Sequence, residues 1–599
     1  MAKGGSVPER KMMREVFKWD LSKVYASKED WERDLTAMKD RVKDMGGFKG
    51  KLKGSNSVIA ECLHSMDDVS RSMGKLYTYA HLRHDEDVRD PVNLDRYERC
   101  KKLLVELGTE TSFFEPELLM LPKKRLDTLL TDPALRFAAV PLREIIRMKE
   151  HTLSVNEERL LAMASDALSS PSKVFKMLND ADLTFPSIPD GKGRKVEISH
   201  GRFIGLLMNR DRKVRENAFR SFYSVYRSHR NTFTASLEGE LKRRALMARL
   251  RKYPSALAAS LDDDKVSVEV YESLIKAVRS AMPDMHSYMD IRRKALGLRK
   301  VHMYDIHVPL VPEYDPKIPF PKAKEIVLSA LSPLGPEVEG IVKDAFSQRW
   351  MDVYENRGKR SGAYSSGCYD SPSYILMNYE NGLKDLFTVA HELGHSVHST
   401  LSNRHQPHIT SEYSIFVAEV ASTVNEVLLL EHLKKTWKKK DARTYLVNHH
   451  LDEFRSTVFR QTMFAEFEKD VSGMVEKDIP LTPDLMDKRY LELNRDHFGE
   501  NVEMDEGIAS EWARIPHFYY DFYVYKYATG YSAATVISKR ILEGGNGALD
   551  SYLEMLRSGG SLPPLELLKG AGVDLTTEAP VKWSLKVFSD LLTELERLL

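Results

Sequence analysis

Five residues constrain this chain more than any others: His391-Glu392-Leu393-Gly394-His395. They sit in a run from Leu386 to Val397 whose apolar residues recur with helical spacing. On a helix, two histidines four residues apart share one face, with Cβ atoms roughly 6 Å apart. Both imidazoles can then reach one metal ion at roughly 2.0–2.1 Å, the zinc–nitrogen distance. Glu392 follows the first ligand and projects beside that ion, where a general base for a metal-activated water belongs. The motif points to metal-assisted peptide hydrolysis. With 19 histidines in 599 residues, about 0.05 such matches arise from composition alone, so the rest of the chain must supply the remainder of the site.

A catalytic zinc needs a third protein ligand and an open position. His398 shares the face of His391 but lies about 10.5 Å further along the axis, and nothing between Ser396 and Leu401 provides a break in the helix. It is therefore a weaker candidate, supporting rather than ligating. Glu419 is better placed. The run from Ser414 to Leu430 is strongly apolar and helical, and its polar residues at 419, 422, 423 and 426 fall on one stripe. Buried polar groups need partners. A metal would satisfy Glu419, and Glu426 two turns on would orient a histidine N–H. A stripe that only faces solvent is the alternative.

The segment Pro516–Tyr531 contains six tyrosines and His517. Proline before a periodic run suits a helix start, and Tyr519, Tyr523, Tyr527 and Tyr531 recur every four residues. Such stripes usually form core, but hydroxyl-bearing rings can also donate to an oxyanion.

Elsewhere the chain reads as long helices. Val58–Leu107 and Pro141–Leu183 are helix-periodic, and Lys43–Ser57 is a turn-rich connector. Leu183–Ile198 reads as a hairpin and marks a division into residues 1–199, an N-terminal helical domain, and residues 200–599, a catalytic domain. Ser373–Tyr379 is β-prone and leads into the motif helix. An edge strand there, Tyr374, Ile375 and Leu376, could hold an extended peptide by main-chain hydrogen bonds; an ordinary strand pair is the equal alternative. His84-Asp85-Glu86-Asp87 reads as a solvated helix end.

A net charge of +1 gives no field that favours nucleic acid or anionic membrane. The basic runs near Lys242 and Lys438 read as solvated helix faces. Three cysteines are too few and too scattered for a disulfide framework or a cysteine zinc site. Neither a signal-peptide pattern at the start nor an 18-residue apolar run is visible, so a cytoplasmic location is expected.

Together these residues resemble oligoendopeptidase F, of the thimet oligopeptidase-like zinc metallopeptidases. The carrying stretches are Trp19-Asp20-Leu21, Leu76–Ala80 with His84–Asp87, Gly358–Tyr364, His391–His395, Phe416–Ser422 and Ile515–Tyr520, which span nearly the whole length. The resemblance implies a mainly α, two-lobed zincin-type fold, with a deep substrate channel and a small β-sheet next to the motif helix. It implies one Zn2+ per chain on His391, His395 and Glu419, with Glu392 as base. It also implies that His517 and nearby tyrosines act on the substrate carbonyl; Tyr520, Tyr523 and Tyr527 are nominated, with Tyr531 behind them. The implied activity is hydrolysis of internal bonds in short oligopeptides. A carboxypeptidase or dipeptidyl carboxypeptidase of the same class is one alternative, and a non-catalytic peptide-binding scaffold is another. Oligomeric state is not legible.

Overall fold

The computed structural model describes residues 7–311, 314, 316–544 and 547–599. The chain divides into two compact units that exchange segments. The first comprises Met1–Glu150, Asp315–His432 and Ile537–Gly572; the second comprises His151–Tyr314, Leu433–Val536 and Val573–Leu599. The hairpin Ser187–Pro189/Lys195–Glu197 forms where the sequence suggests it, within the second unit. Each compact unit draws on segments from both sides of residue 199.

In the first unit, the helices Lys28–Met45, Asn56–Glu86 and Pro91–Thr111 pack together. The long periodic stretch from Val58 is broken at residues 87–90, because Asp90 caps a new helix by accepting from Val92 N–H at 2.9 Å. The helix end before that break is not solvated, contrary to the sequence reading. Asp85 and Glu86 are buried, because their carboxylates bind groups from the 352–364 segment and from the N-terminal Arg10 and Trp19.

A three-stranded sheet lies beside the motif helix, with Met351–Asp352 parallel and Tyr364–Ser366 antiparallel to Tyr374–Leu376. Tyr374–Leu376 is thus the central strand, fully buried and paired on both sides. This corrects its expected place as an edge; the edges are Met351–Asp352 and Tyr364–Ser366. A strand with three buried side chains in sequence suits an interior position.

The second unit is also helical, with Arg212–Ser228, Arg230–Leu250, Arg460–Glu476, Pro483–Phe498 and Ala579–Leu598 among its longer elements. The fold is mainly α, as expected. Among the described residues, no helix is long and apolar enough to cross a membrane.

Candidate metal centre

The motif lies in an unbroken helix, Leu383–His405. Asp385 starts it by accepting from the N–H groups of Gly382 and Glu380 at 2.8 and 3.0 Å, and Arg404 and His405 suit its negative C-terminal end. Leu386, Val389, Ala390, Leu393, Val397 and Leu401 form its buried face. The partly exposed His391 and His395 present Nε2 atoms 3.2 Å apart.

A second helix, Ile415–Thr436, crosses it at close range. A Cβ on Gly394 would lie 2.5 Å from Ser422 Cα, so only glycine admits this approach. Asn425 Nδ2 donates to Ala390 O at 3.0 Å and ties the two backbones together. The crossing brings Glu419 to the histidines: its carboxylate oxygens are 3.6 Å from His391 Nε2 and 4.0 Å from His395 Nε2. One ligand atom from each of the three lies within 4.8 Å of the others. Ligand atoms around a tetrahedral zinc with arms of roughly 2.1 Å are roughly 3.4 Å apart, so the donor set fits that ion.

The chemistry of the donors supports the same fit. His391 Nδ1 lies 2.7 Å from Glu426 Oε1. A carboxylate only accepts, so Nδ1 carries a proton and Nε2 is the atom that faces His395 and Glu419. Burial opposes charge on the His391 ring, but Glu426, Glu392 and Glu419 outweigh it and lift its pKa to about 9. Burial, with the charge of His391, pushes His395 down to about 3. Glu392 is buried on the same helix. Burial raises its carboxyl to about 7 against the pull of His391 and of the Ser365 N–H.

His398 stays outside the cluster. It is fully buried and stacks on Tyr413 with ring centroids 3.5 Å apart. Neither of its ring nitrogens has a partner among the described residues.

The second unit holds His517 and the tyrosines, but not on one helix as the spacing predicts. Pro516–Tyr519 forms a short 3-10 turn and the α-helix starts only at Tyr525. Between them Asp521 and Phe522 take left-handed φ values of 49° and 54°. A buried ion network overrides the helical periodicity there. Glu468 accepts from Phe522 N–H at 2.9 Å, and Arg244 holds Glu468, Phe518 O and Asp521 at 2.8, 2.9 and 2.7 Å.

The break scatters the stripe. Tyr519 turns away to Ser236 and Phe175, whereas Tyr531 packs on Phe454. Tyr527 OH lies 3.4 Å from His517 Nε2, and the His517 ring also neighbours Tyr520. Tyr523 packs edge-on against Tyr527. Tyr520 is 49% exposed, so it is open to a ligand.

Sequence reasoning missed Ser365 and Asn425. Ser365 Oγ meets Ser396 Oγ at 3.0 Å, linking the edge strand to the motif helix. Asn425 was visible as a further polar residue in the apolar run from Ser414, but nothing in the sequence marked it as the tie between helices.

Residues 206–587 match Peptidase family M3, and residues 117–185 match the family Oligopeptidase F. Oligopeptidase PepF of Bacillus subtilis is 42% identical over 598 residues, covering 100% of this chain and 89% of that protein. Group B oligopeptidase PepB of Streptococcus agalactiae is 38% identical, with 98% of each chain covered. The solved oligoendopeptidase-F of Enterococcus faecium superposes with a TM-score of 0.73 at 36% identity, over 95% of this chain and 99% of that one. The chain therefore belongs to peptidase family M3, in its oligopeptidase F group, and is a metalloendopeptidase.

Proposed function

We propose that this chain is a zinc-dependent endopeptidase that cleaves internal bonds of short, unstructured oligopeptides, with one Zn2+ held by His391, His395 and Glu419. The observation that carries this reading is the convergence of three ligand atoms at zinc-like spacing beside a buried glutamate. Zinc, when bound, supplies a Lewis acid that activates water and polarises a carbonyl.

The chain's own residues do the rest. Glu392 takes the proton of the attacking water and passes it to the leaving amine. Glu426 fixes the His391 tautomer by holding its Nδ1 proton. In the second unit, His517 and Tyr527, with Tyr520 and Tyr523 beside them, form a cluster of donors able to stabilise negative charge on a carbonyl oxygen. The substrate main chain pairs with the edge strand Tyr364–Ser366, which takes the role first assigned to Tyr374–Leu376. The enzyme works in the cytoplasm on peptides, in keeping with its three scattered cysteines.

Glu392→Gln tests the central step. It should keep zinc, measured by metal analysis, and lose nearly all turnover; full activity in that variant refutes the assignment. Equal cleavage of one internally quenched peptide with a free and with an amidated C-terminus is expected. Strict dependence on the free carboxylate would instead identify a carboxypeptidase.

A further inference from the structure

The edge strand Tyr364–Ser366 is held at one end by a buried carboxylate on another element. Asp85, in the last turn of Asn56–Glu86, is 1% exposed. Its Oδ2 accepts from Tyr364 OH at 2.9 Å and from Arg360 Nη1 at 3.1 Å. His81 Nε2 and His84 Nδ1 lie at 3.1 and 3.0 Å from its two oxygens. Its backbone carbonyl takes the Arg360 N–H at 3.1 Å. Burial opposes the carboxylate, yet His81, His84 and Tyr364 outweigh it and hold the pKa down at about 2, so the group is charged at neutral pH.

The neighbouring residues reinforce the grip. The His81 ring stacks on Tyr364 with centroids 5.5 Å apart. Val88 N–H donates to Gly358 O at 2.8 Å, and Asn356 Nδ2 donates to Glu86 O at 3.0 Å. Gly358 has a φ of +80°, and a Cβ there would lie 2.0 Å from Asp87 Oδ1. Only glycine lets the segment seat this closely on the helix end.

The middle residue of the strand reaches the motif helix. Ser365 Oγ meets Ser396 Oγ at 3.0 Å, and the Ser365 N–H draws the Glu392 carboxyl down. The Asp85 contact at Tyr364 and the motif-helix contact at Ser365 therefore fall on adjacent residues.

We propose that Asp85 is a positioning residue that fixes the edge strand Tyr364–Ser366 against Glu392 and thereby sets how the peptide main chain is held. Its effect on substrate rests on the peptidase reading above; its hold on the strand does not. Asp85 touches no reacting atom, so its loss weakens binding of an extended peptide rather than the chemical step.

The experiment compares the zinc-loaded full chain with Asp85→Asn and with Tyr364→Phe, which removes only the hydroxyl. Hydrogen exchange read by mass spectrometry should quicken about tenfold across residues 360–366 in both variants, with residues 383–405 unchanged. Unchanged exchange at 360–366 in both variants overturns the proposal. On an internally quenched peptide, KM should rise about three- to tenfold with kcat within about twofold; a fall in kcat at constant KM overturns the positioning role. If the unsubstituted chain cleaves no peptide, the peptidase reading falls, while the exchange result still decides whether Asp85 holds the strand.

Discussion

Gly394→Ala tests the packing that sets Glu419 opposite the two histidines. The added Cβ would lie 2.5 Å from Ser422 Cα, 2.8 Å from Ala421 O and 3.0 Å from Ser422 N. All three are backbone atoms, so no rotamer change relieves the clash and the helices must separate by about 1 Å. Overpacking of this kind costs about 1–3 kcal/mol, offset by about 1 kcal/mol from alanine's better helix propensity. The net loss of stability is therefore about 0–2 kcal/mol. The effect on the site should be larger. Glu419 is already 3.6 and 4.0 Å from the two Nε2 atoms, slightly beyond the roughly 3.4 Å edge of a zinc tetrahedron, and a further 1 Å or so puts it out of reach of an ion held by both histidines. Zinc affinity should fall about 10- to 100-fold. Competition against a chromogenic chelator measures that affinity, and thermal melts with and without zinc measure the stability. A variant that binds zinc as tightly as the parent refutes the claim that this close crossing positions Glu419.

Three further outcomes are expected. Glu426→Gln leaves the His391 Nδ1 proton without a charged acceptor and should lower zinc affinity about tenfold, read by the same chelator competition. Glu468→Gln removes the carboxylate between Arg244 and Phe522 N–H. It should cost about 2–3 kcal/mol in denaturant unfolding and raise hydrogen exchange across residues 520–524. Burial lowers the pKa of the fully buried His497 from 6.5 to about 4, so the fold favours its neutral ring. Stability from this group is complete above about pH 6.5 and is lost as pH falls toward 4, by about 3 kcal/mol in all. His497→Asn should flatten that part of the melting-temperature profile, and an unchanged profile would refute the assignment.

What the sequence made legible was what local spacing can encode. Helical periodicity placed His391 and His395 on one face, and a polar stripe in an apolar helix singled out Glu419 and Glu426. The glycine between the histidines was visible too. That it admits a second helix backbone depends on Ser422, 28 residues away and on another element. Periodicity failed where tertiary charge won. The four-residue spacing of Tyr519, Tyr523, Tyr527 and Tyr531 predicts one helix, yet Arg244 and Glu468 pin a left-handed turn at Asp521 and Phe522 that splits it. Strand order failed for a related reason. A three-residue apolar strand looks the same at an edge or in the middle, and only pairing to Met351–Asp352 on one side and Tyr364–Ser366 on the other decides it.

The misreading of His84–Asp87 has the most consequence. Charged residues at a helix end are usually solvated, and nothing local distinguishes these. Their partners, Arg360 and Tyr364, lie about 280 residues downstream by their numbering. Those partners belong to the same glycine-bearing segment that leads into the edge strand and on to Ser365. A helix end that binds its own solvent could vary freely. One that carries a buried carboxylate against this strand constrains the geometry at Glu392, even though it lies far from the metal ligands in sequence. In the proposed site the motif helix supplies two ligands and the base and the helix Ile415–Thr436 the third, and the proposed hold on substrate beside them depends on a carboxylate from the first helical layer of the same unit.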